Sequence, residues 1–376
     1  MKIAVNTRLL VPNKMDGIAR FSYETLQLIT RVHPEVQFTF IFDRKVEGNT
    51  FKFPENVSFV TLGPPARHPV LWFIWFEMSL KRYLNKNRFD LFLSSEGWVP
   101  PKLNCKSLAV IHDLNFEHHP EHIIWSHRKY LQHFFPKFAK RASRIATVSE
   151  YSKKDIASSY KIPSSQIDVV YNGANDVFKP ASVEKQLHFK ERYTSKHDFF
   201  IFIGTIHPRK NLEHLLLAFE DFKTRTTKKT KLLIAGNKKW WPSKLEQTYQ
   251  SMKFKKDVNF MGRLSDEELS VALSSALALT YLPYFEGFGI PILEAFQTET
   301  AVITSNVTSM PEVAADAAIL CNPKEVSEIA DAMEVIANQP EKRASLIEKG
   351  KRRKQDFSWE NSANLLWNSI EKTVKN

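Results

Sequence analysis

Short apolar runs alternate with longer amphipathic stretches along the whole chain. In the first half the runs lie in IAVNTRLL, FTFIFD, VSFVTL, DLFLSS, SLAVIHDL, RIATVSE and DVVYNG, and in the second half in FFIFIG, KLLIAG, VNFMG, LALTYL, AVITSN and AAIL. Short apolar runs separated by helical stretches are typical of βαβ units, which build parallel sheets. The pattern therefore predicts an α/β fold with a strand in each of these segments.

A break in this pattern predicts two domains. The segment NGANDVFKPAS, residues 172–182, is rich in residues that interrupt periodic structure. A chain of 376 residues also exceeds what one hydrophobic core usually organises. We therefore expect two Rossmann-like, doubly wound domains, 1–180 and 181–357; a single sheet would exceed the usual domain size. The amphipathic tail predicts a last helix, about 358–376, that crosses back onto the first domain.

The sequence predicts a cytoplasmic protein that does not span a membrane. The first residues lack the apolar centre of a secretory signal, and the densest apolar stretch, VLWFIWFEMSL, is interrupted by Glu77. It is far shorter than the ~20 residues of a spanning helix. Cys105 and Cys321 have no CxxC spacing, which indicates neither a disulfide framework nor a structural zinc site.

Positive charge is concentrated in the first half of the chain. The net charge is +12. Residues 1–180 hold 25 Lys and Arg against 16 Asp and Glu, a balance of +9, and the remainder has 28 against 25, or +3. The first half is therefore expected to face an anionic partner: nucleic acid, an anionic membrane surface or a phosphorylated substrate.

Two loops after strands of the second half carry candidate chemistry. Arg209 and Lys210 follow FFIFIG just before a helix, a position that suits phosphate. After LALTYL comes EGFGIPILE, in which Gly289 permits close backbone approach and Glu286 and Glu294 flank the turn. Carboxylates on both sides of a phosphate loop favour a ligand whose phosphate is flanked by hydroxyls, as in a nucleotide sugar.

The segment EGFGIPILE resembles the signature of the retaining group 1 glycosyltransferases of the GT-B fold. The resemblance continues through the chain in family order: DGIARF, IHDL, TVSEYS, YNGAND, GTIHPRKN, LLIAG, GRLSDEEL, EGFGIPILE, SMPEVAADAA and FSWE. It implies two Rossmann-like domains facing a central cleft, with acceptor bound by the first and nucleotide-sugar donor by the second. Bacterial members of this family with IHDL and GFGIP commonly use GDP-mannose, so the resemblance implies a protein similar to bacterial mannosyltransferases.

The resemblance also implies roles for residues of the donor domain. Arg209 and Lys210 match the pair that binds the donor diphosphate and neutralises the departing nucleotide. Glu294 matches the residue that accepts hydrogen bonds from ribose, and Glu286 the one near the transferred sugar. The remaining donor-binding matches are the amides of Phe288, Gly289 and Ile290, with Arg263 and Leu264 beside the nucleobase. Ser265 and Glu268 next to them also form a capping-box pattern, which is a structural explanation for part of that motif.

In the first half the resemblance marks Gly17, His112 and Asp113. Gly17 matches the glycine-rich loop under the donor phosphates, although Asp16 stands where a second glycine is common. His112, at a strand end, matches the family's histidine near the transferred sugar, and Asp113 follows it. We expect these two to take part in catalysis together with Glu286, Arg209 and Lys210.

No metal site is assigned from the histidine-rich segment that follows. His118 and His122 have the i,i+4 spacing of a helical metal site, but Pro120 between them interrupts a continuous helix. No DxD pair closes a strand, so a metal-independent reaction without a cofactor is expected.

A stretch rich in aromatic and basic residues has two interpretations. HPVLWFIWFEMSLKRYL combines Trp72 and Trp75 with Lys81 and Arg82. Such a mixture suits a membrane interface, and it equally suits ordinary core helices with solvated faces. The first interpretation predicts a peripheral protein at the inner face of the plasma membrane that takes a lipid-linked acceptor.

The leading hypothesis is transfer of a sugar, first of all mannose from GDP-mannose, to a glycan or lipid-linked acceptor in bacterial surface polysaccharide synthesis. UDP-glucose and related donors remain open. A GT-B-like nucleotide-sugar epimerase is the nearest alternative enzyme. A basic nucleic-acid-binding protein is an alternative from another class, but the sequence lacks a helix-turn-helix, zinc-finger or RNA-binding signature, so no nucleic-acid partner is expected.

Overall fold

The computed structural model describes residues 1–11, 15, 17–46, 50–238 and 241–375. Asp16 lies outside these residues, so its place beside Gly17 is not described. The chain forms two compact units, one of Met1–Gly173 with the segment from Trp359 and one of Ala174–Ser358. The chain enters the second unit after Gly173, before residue 180, because the backbone N–H groups of Lys179 and Ala181 bond to Ser270 and Ser274 of that unit, each at 3.1 Å.

The described part of the first unit contains a seven-stranded sheet in which all neighbouring strands are parallel. The strands are β1 (Lys2–Asn6), β2 (Gln37–Phe42), β3 (Val57–Thr61), β4 (Leu91–Ser94), β5 (Lys106–Val110), β6 (Arg144–Thr147) and β7 (Ile167–Val169). Their order across the sheet is β3-β2-β1-β4-β5-β6-β7. Strands such as β4, with all four residues buried, are apolar because helices cover both faces.

In the described part of the first unit, helices lie between several of these strands, but β2 and β3, and β4 and β5, are joined without one. The helices are α1 (Gly17–Val32), α2 (Pro69–Phe73), α3 (Lys81–Asn87), α4 (Asn115–His118), α5 (Trp125–Arg141) and α6 (Glu150–Tyr160). A π-helical segment, Ile74–Leu80, joins α2 to α3. Ser149 caps α6 by accepting a hydrogen bond from the N–H of Ser152. The predicted alternation of strands and helices is therefore present.

The described part of the second unit contains a six-stranded sheet that is parallel throughout. The strands are β8 (Phe199–Ile203), β9 (Lys231–Ala235), β10 (Val258–Gly262), β11 (Ala278–Tyr281), β12 (Ala301–Ser305) and β13 (Ile319–Cys321). Their order is β10-β9-β8-β11-β12-β13. Every segment that the apolar pattern predicted as a strand is a strand, and the predicted α/β class is confirmed.

The helices of the second unit and the C-terminal helix complete the described elements. They are α7 (Val183–Thr194), α8 (Leu212–Thr224), α9 (Ser243–Ser251), α10 (Asp266–Ser275), α11 (Ile290–Gln297), α12 (Met310–Ala314), α13 (Val326–Asn338), α14 (Pro340–Arg353) and α15 (Trp359–Lys375). Helix α15 packs on α1 in the first unit. The ring of Trp367 stacks on His33 at 3.6 Å, and Ser369 Oγ donates to Asp168 at 2.9 Å.

The strand order identifies where each sheet is open to a ligand. Successive connections run in opposite directions on the two sides of the β1/β4 pair in the first sheet and of the β8/β11 pair in the second. In open parallel sheets, ligands bind beyond the carboxyl ends of the strands at such a reversal. A ligand-binding site is therefore expected in the loops that follow these four strands.

Two of the tryptophans considered for a membrane interface lie in the core of the first unit. Trp75 is fully buried and Trp72 is partly buried. Their indole N–H groups donate to Leu62 O and Ala66 O, each at 2.8 Å. Since both polar tips have protein partners, the core interpretation is correct for these two residues. In the part of the chain that the structure describes, no helix combines the length and hydropathy needed to cross a bilayer.

The ends of β8 and β9 approach so closely that Gly236 tolerates no side chain. A Cβ at Gly236 would lie 1.9 Å from the carbonyl oxygen of Gly204. We expect Gly236→Ala to lower the free energy of unfolding by about 3 kcal/mol or more, because backbone would have to move. Gly262→Ala is the control, since φ there is +68° but no atom lies within 4 Å of the added Cβ; about 1–2 kcal/mol is expected from strain alone. Equal losses in urea unfolding would contradict the argument.

Candidate active site

The loop after β8 presents Arg209 and Lys210 in a short turn of its own. Pro208–Lys210 forms a 3-10 turn, and the His207 ring accepts a hydrogen bond from the N–H of Arg209 at 3.4 Å. Asn211 then adopts a left-handed conformation, with φ of 59°, before α8 begins. The two cations therefore precede α8 as the sequence predicts, but a left-handed residue separates their turn from the helix.

The loop after β11 is fastened to its surroundings through its backbone. The N–H of Tyr284 donates to Arg209 O at 2.8 Å, which joins this loop to the preceding one. Ser309 Oγ bonds to Glu286 O at 2.9 Å and to Phe288 O at 3.1 Å, and Ser305 Oγ donates to Pro283 O at 2.6 Å. Sequence analysis included Ser309 in the motif SMPEVAADAA and Ser305 in a predicted strand, but it assigned neither a role, because their partners lie more than 20 residues away.

Gly289 makes the turn into α11 possible. Its φ is +106°, and a Cβ there would lie 2.6 Å from Met310 Cε. The helix begins at the next residue, with Pro291 in its first turn, where the missing N–H of proline has no consequence. The first turn of α11 therefore follows directly on the glycine turn, with its amides at the carboxyl edge of the sheet.

Glu286 forms ion pairs with both cations of the neighbouring loop. Its Oε1 accepts from Arg209 Nη1, and it lies 2.5 Å from Lys210 Nζ. Burial alone would raise the pKa of the Glu286 carboxyl, but the charges of Arg209 and Lys210 outweigh it and hold the pKa below its usual value. The three residues that the resemblance assigned to catalysis in this half thus meet in one cluster.

Tyr281, the last residue of β11, extends this cluster. Its side chain is fully buried, and its hydroxyl accepts from Lys210 Nζ at 2.5 Å. Burial, followed by the charge of Glu286, raises the pKa of Tyr281 well above its usual value, so the phenol stays neutral. Sequence analysis missed this residue; its position at the end of the strand before the EGFGIPILE loop was the available signal.

Glu294 and the two apolar residues of the motif lie around the same turn. Glu294 is partly buried in α11, and its charge contributes to the raised pKa of Tyr281. Phe288 is buried and meets Phe357 edge to face at 5.7 Å, while Ile290 is the first residue of α11. The structure therefore brings Glu294, Phe288, Gly289 and Ile290 next to the cation cluster.

Arg263 and Leu264 lie farther along the sheet. They follow β10, which is separated from β8 by β9. Arg263 is exposed, and Leu264 lines a cavity of about 670 Å³ between α7 and α10. The carbonyl of Gly262 accepts from the N–H of Gly236 at 2.7 Å, which links the loop after β10 to the loop after β9. The Ser265 and Glu268 capping box is formed.

The first unit holds His112 and Asp113 directly after β5. His112 Nε2 is 3.2 Å from Ser95 O, and the ring meets Phe21 edge to face at 5.1 Å. Asp113 Oδ1 accepts from the N–H of Asn115 at 2.9 Å, which fixes the turn into α4. Gly17 is exposed and is the first residue of α1.

The histidine-rich segment does not form one helical site. Helix α4 ends at His118, whose Nε2 lies 2.8 Å from Asp155 Oδ1, and Pro120 starts a separate turn. Within the described residues, His119, Glu121 and His122 have possible ligand atoms within 4.8 Å of one another. The i,i+4 pair His118 and His122 is thus divided between two elements.

Two family models match the chain. Residues 183–353 match group 1 glycosyl transferases, and residues 16–177 match glycosyltransferase family 4. The O-antigen chain mannosyltransferase B of Escherichia coli is 27% identical over 275 residues, which cover 73% of this chain and 72% of that protein. None of these comparisons favours an epimerase or a nucleic-acid-binding protein.

Solved structures support the same architecture. Sucrose-phosphate synthase from Thermosynechococcus elongatus has a TM-score of 0.78 at 19% identity, covering 99% of this chain and 98% of that one. HepE from Anabaena, in complex with UDP-glucose, has a TM-score of 0.75 at 15% identity, covering 99% of this chain and 100% of that one. With both halves matched by glycosyltransferase models and two parallel sheets of the expected kind, the chain belongs to the group 1 glycosyltransferases and has the two-domain GT-B fold.

Proposed function

We propose that this glycosyltransferase moves mannose from GDP-mannose to a glycan or lipid-linked acceptor, with retention of anomeric configuration and without a metal ion or cofactor. The observation that carries the proposal is the cluster of Arg209, Lys210 and Glu286 at the strand-order reversal of the second sheet. Two fixed cations beside a glycine turn and a helix start form a site suited to a diphosphate.

The cations would act on the leaving group. Negative charge on the nucleoside diphosphate increases as the bond to the sugar breaks, and cations already in place stabilise that charge in the transition state. Glu286 competes with the diphosphate for the same cations, so donor binding frees its carboxylate. The freed carboxylate is then available to the hydroxyls of the sugar, and Glu294 to those of the ribose.

The choice of mannose rests on the relative from Escherichia coli, whose name describes an O-antigen mannosyltransferase. O-antigen is a surface polysaccharide, which supports the same pathway class for this chain. HepE binds UDP-glucose, and at 15% identity its ligand is only a competing candidate. The cations Arg209 and Lys210 supply the charge that a divalent ion would otherwise bring to the diphosphate, which supports metal independence.

We further propose that the protein is cytoplasmic and that its first unit docks on an anionic membrane. Part of the stretch that the sequence suggested takes part: its Val70 and Phe73 are exposed, whereas its Trp72 and Trp75 are partly and fully buried. Val70, Phe73, Ile124 and Trp125, the α2/α5 surface, are 60%, 42%, 61% and 66% exposed. The two helices are in contact, since the rings of Phe73 and Phe134 lie 5.9 Å apart.

Basic residues surround this apolar surface. Lys129 lies one turn after Trp125 on α5, and Lys137 Nζ lies 5.4 Å from the ring centre of Phe134, which meets Phe73. Both lysines are exposed, and Arg67 is exposed just before α2. Apolar side chains flanked by cations suit the boundary between headgroups and acyl chains. Such a surface would bring the first unit to an acceptor carried on a lipid.

The donor and the metal requirement are tested together. We expect GDP-mannose to raise the melting temperature more than UDP-glucose in a screen of nucleotide sugars, because a ligand at 100 times its Kd stabilises by about 2.7 kcal/mol. Mannose should then be transferred to acceptor with retention, and at an unchanged rate in EDTA. Complete loss in EDTA, restored by Mn²⁺ or Mg²⁺, would reverse the metal-independence proposal. Consumption of donor without acceptor would indicate an epimerase instead.

The two glutamates of the motif should respond differently to substitution. Glu294→Ala removes a partner of the ribose hydroxyls, and we expect it to weaken GDP binding by roughly 1.5–3 kcal/mol in calorimetry. Glu286→Gln removes the carboxylate that competes for the cations, and it should leave GDP binding unchanged or tighter. Arg209→Ala is the control that should weaken it. Equal weakening by both glutamate variants would contradict the competition.

Vesicle sedimentation tests the membrane proposal. Binding should rise with the fraction of anionic lipid and fall with salt, since each Lys or Arg near the surface contributes about 1 kcal/mol. Trp125→Asp should weaken binding about tenfold. Leu187→Asp, which changes an equally exposed apolar residue of the second unit, is the matched control and should have no effect. If the unsubstituted protein stays in the supernatant at low salt, a soluble oligosaccharide acceptor becomes the better proposal.

A further inference from the structure

A buried ion pair joins the loops after β1 and β4 in the first unit. Arg8 and Glu96 are only 9% and 8% exposed. Arg8 Nε donates to Glu96 Oε1 at 2.9 Å, and Arg8 Nη2 donates to Glu96 Oε2, so the contact is bidentate. Arg8 Nη1 also donates to Ala66 O at 2.8 Å. The pair lies at the strand-order reversal of the first sheet, and neither residue belongs to a motif that sequence analysis singled out.

Stability alone is a poor reason for such a pair. Removing two charges from water costs several kcal/mol per ion, and replacing a buried pair by apolar residues of similar size is often neutral or stabilising. Aromatic rings already surround it: the Arg8 guanidinium lies 5.8 Å from the ring centre of Phe76 and 5.7 Å from that of Trp98. The hydrogen bonds that the pair makes to other residues therefore indicate its role better than stability does.

Hydrogen bonds lead from the pair to His112. Glu96 Oε1 accepts from Asn6 Nδ2 at 2.7 Å, which fixes the last residue of β1. Ser95 Oγ donates to Asn6 O at 2.7 Å, and this bond fixes the residue before Glu96. Ser95 O in turn lies 3.2 Å from His112 Nε2. The chain of contacts thus runs from Arg8 through Glu96, Asn6 and Ser95 to the imidazole.

The last contact determines the state of the ring. A carbonyl oxygen only accepts hydrogen bonds, so the proton of the neutral imidazole must be on Nε2. A fixed acceptor therefore sets both the tautomer and the orientation of His112, as carbonyl and carboxylate partners do for histidines at other sites. Phe21, whose ring meets His112 at 88°, restricts rotation from another side.

We propose that Glu96, held by Arg8, is a positioning residue that sets the tautomer and orientation of His112 through Ser95. This rests on the proposed function in one respect, namely that His112 acts near the transferred sugar. Glu96 itself acts through contacts within the protein and does not touch substrate. Its loss should therefore affect turnover while leaving donor binding in the second unit intact.

Histidine NMR tests the proposal without activity. In protein labelled with ¹⁵N-histidine, the His112 signals, assigned by their loss in His112→Ala, should show the Nε2–H tautomer. In Glu96→Gln the Nδ1–H form should appear beside it. Ser95→Ala removes only the bond to Asn6 O and leaves no buried charge unpaired. It should change the same signals less than Glu96→Gln does. It is therefore the variant to measure if Glu96→Gln does not fold. An unchanged tautomer in both variants would overturn the proposal.

A double-mutant cycle adds the kinetic test. Glu96→Gln should lower kcat about tenfold, the effect of one hydrogen bond, with the donor KM unchanged. In a His112→Ala background the same substitution should change kcat less than about twofold, because coupled residues are not additive. Glu77→Gln, which removes a largely buried partner of Arg141 in the same unit, is the control for stability alone. It should leave the His112 signals and kcat unchanged.

The outcomes separate this proposal from the proposed function. If the reductions in kcat caused by Glu96→Gln and His112→Ala multiply in the double variant, the positioning role is overturned, but the proposed glycosyl transfer is not. Full activity of His112→Ala would overturn it as well, because no reacting group would then be positioned. If the unsubstituted protein transfers no sugar from any donor, the proposed function fails, and the tautomer measurement still decides whether Glu96 sets the ring.

Discussion

The ion pairs between Glu286 and the two cations Arg209 and Lys210 are the constraint around which the second unit is arranged. They join the loops after β8 and β11. In the described sheet, β8 and β11 are the adjacent strands between which the strand order reverses. Tyr281 beneath them and the serines that hold the loop backbone keep the charges in place. Two cations against one carboxylate leave this cluster with a net positive charge, which suits the anionic donor proposed above.

The first unit uses a comparable arrangement at its own strand-order reversal. Arg8 and Glu96 join the loops after β1 and β4, and His112 follows the next strand, β5. In both units a buried or largely buried carboxylate is paired with arginine where the sheet is open to ligands. The two carboxylates differ in what they contact. Glu286 pairs with the cations that are proposed to bind the donor. Glu96 is linked through Asn6 and Ser95 to His112, which is proposed to act near the transferred sugar.

The family motifs account for more of the side-chain cluster in the second unit than for the exposed surface of the first. Residues 183–353 and 16–177 match glycosyltransferase models. The motif residues of the second unit gather around one turn, except Arg263 and Leu264, which lie farther along the sheet. In the first unit the surface proposed to dock on a membrane is made by Val70, Phe73, Ile124 and Trp125, which lie outside the family motifs.

The sequence by itself determined the class of fold, the segments that form the strands, the division into two units and the positions of the motifs that are proposed to bind phosphate. These features are local, because apolar periodicity and glycine or proline turns depend on neighbouring residues. Only the tertiary structure decided which charges meet: Glu286 lies 77 positions from Arg209, and Glu96 lies 88 from Arg8. It also decided that Trp72 and Trp75 enter the core while Trp125 faces outward. Such pairings depend on the order of the strands across each sheet. The same order decides which elements lie next to each helix, and so which face of the helix is buried.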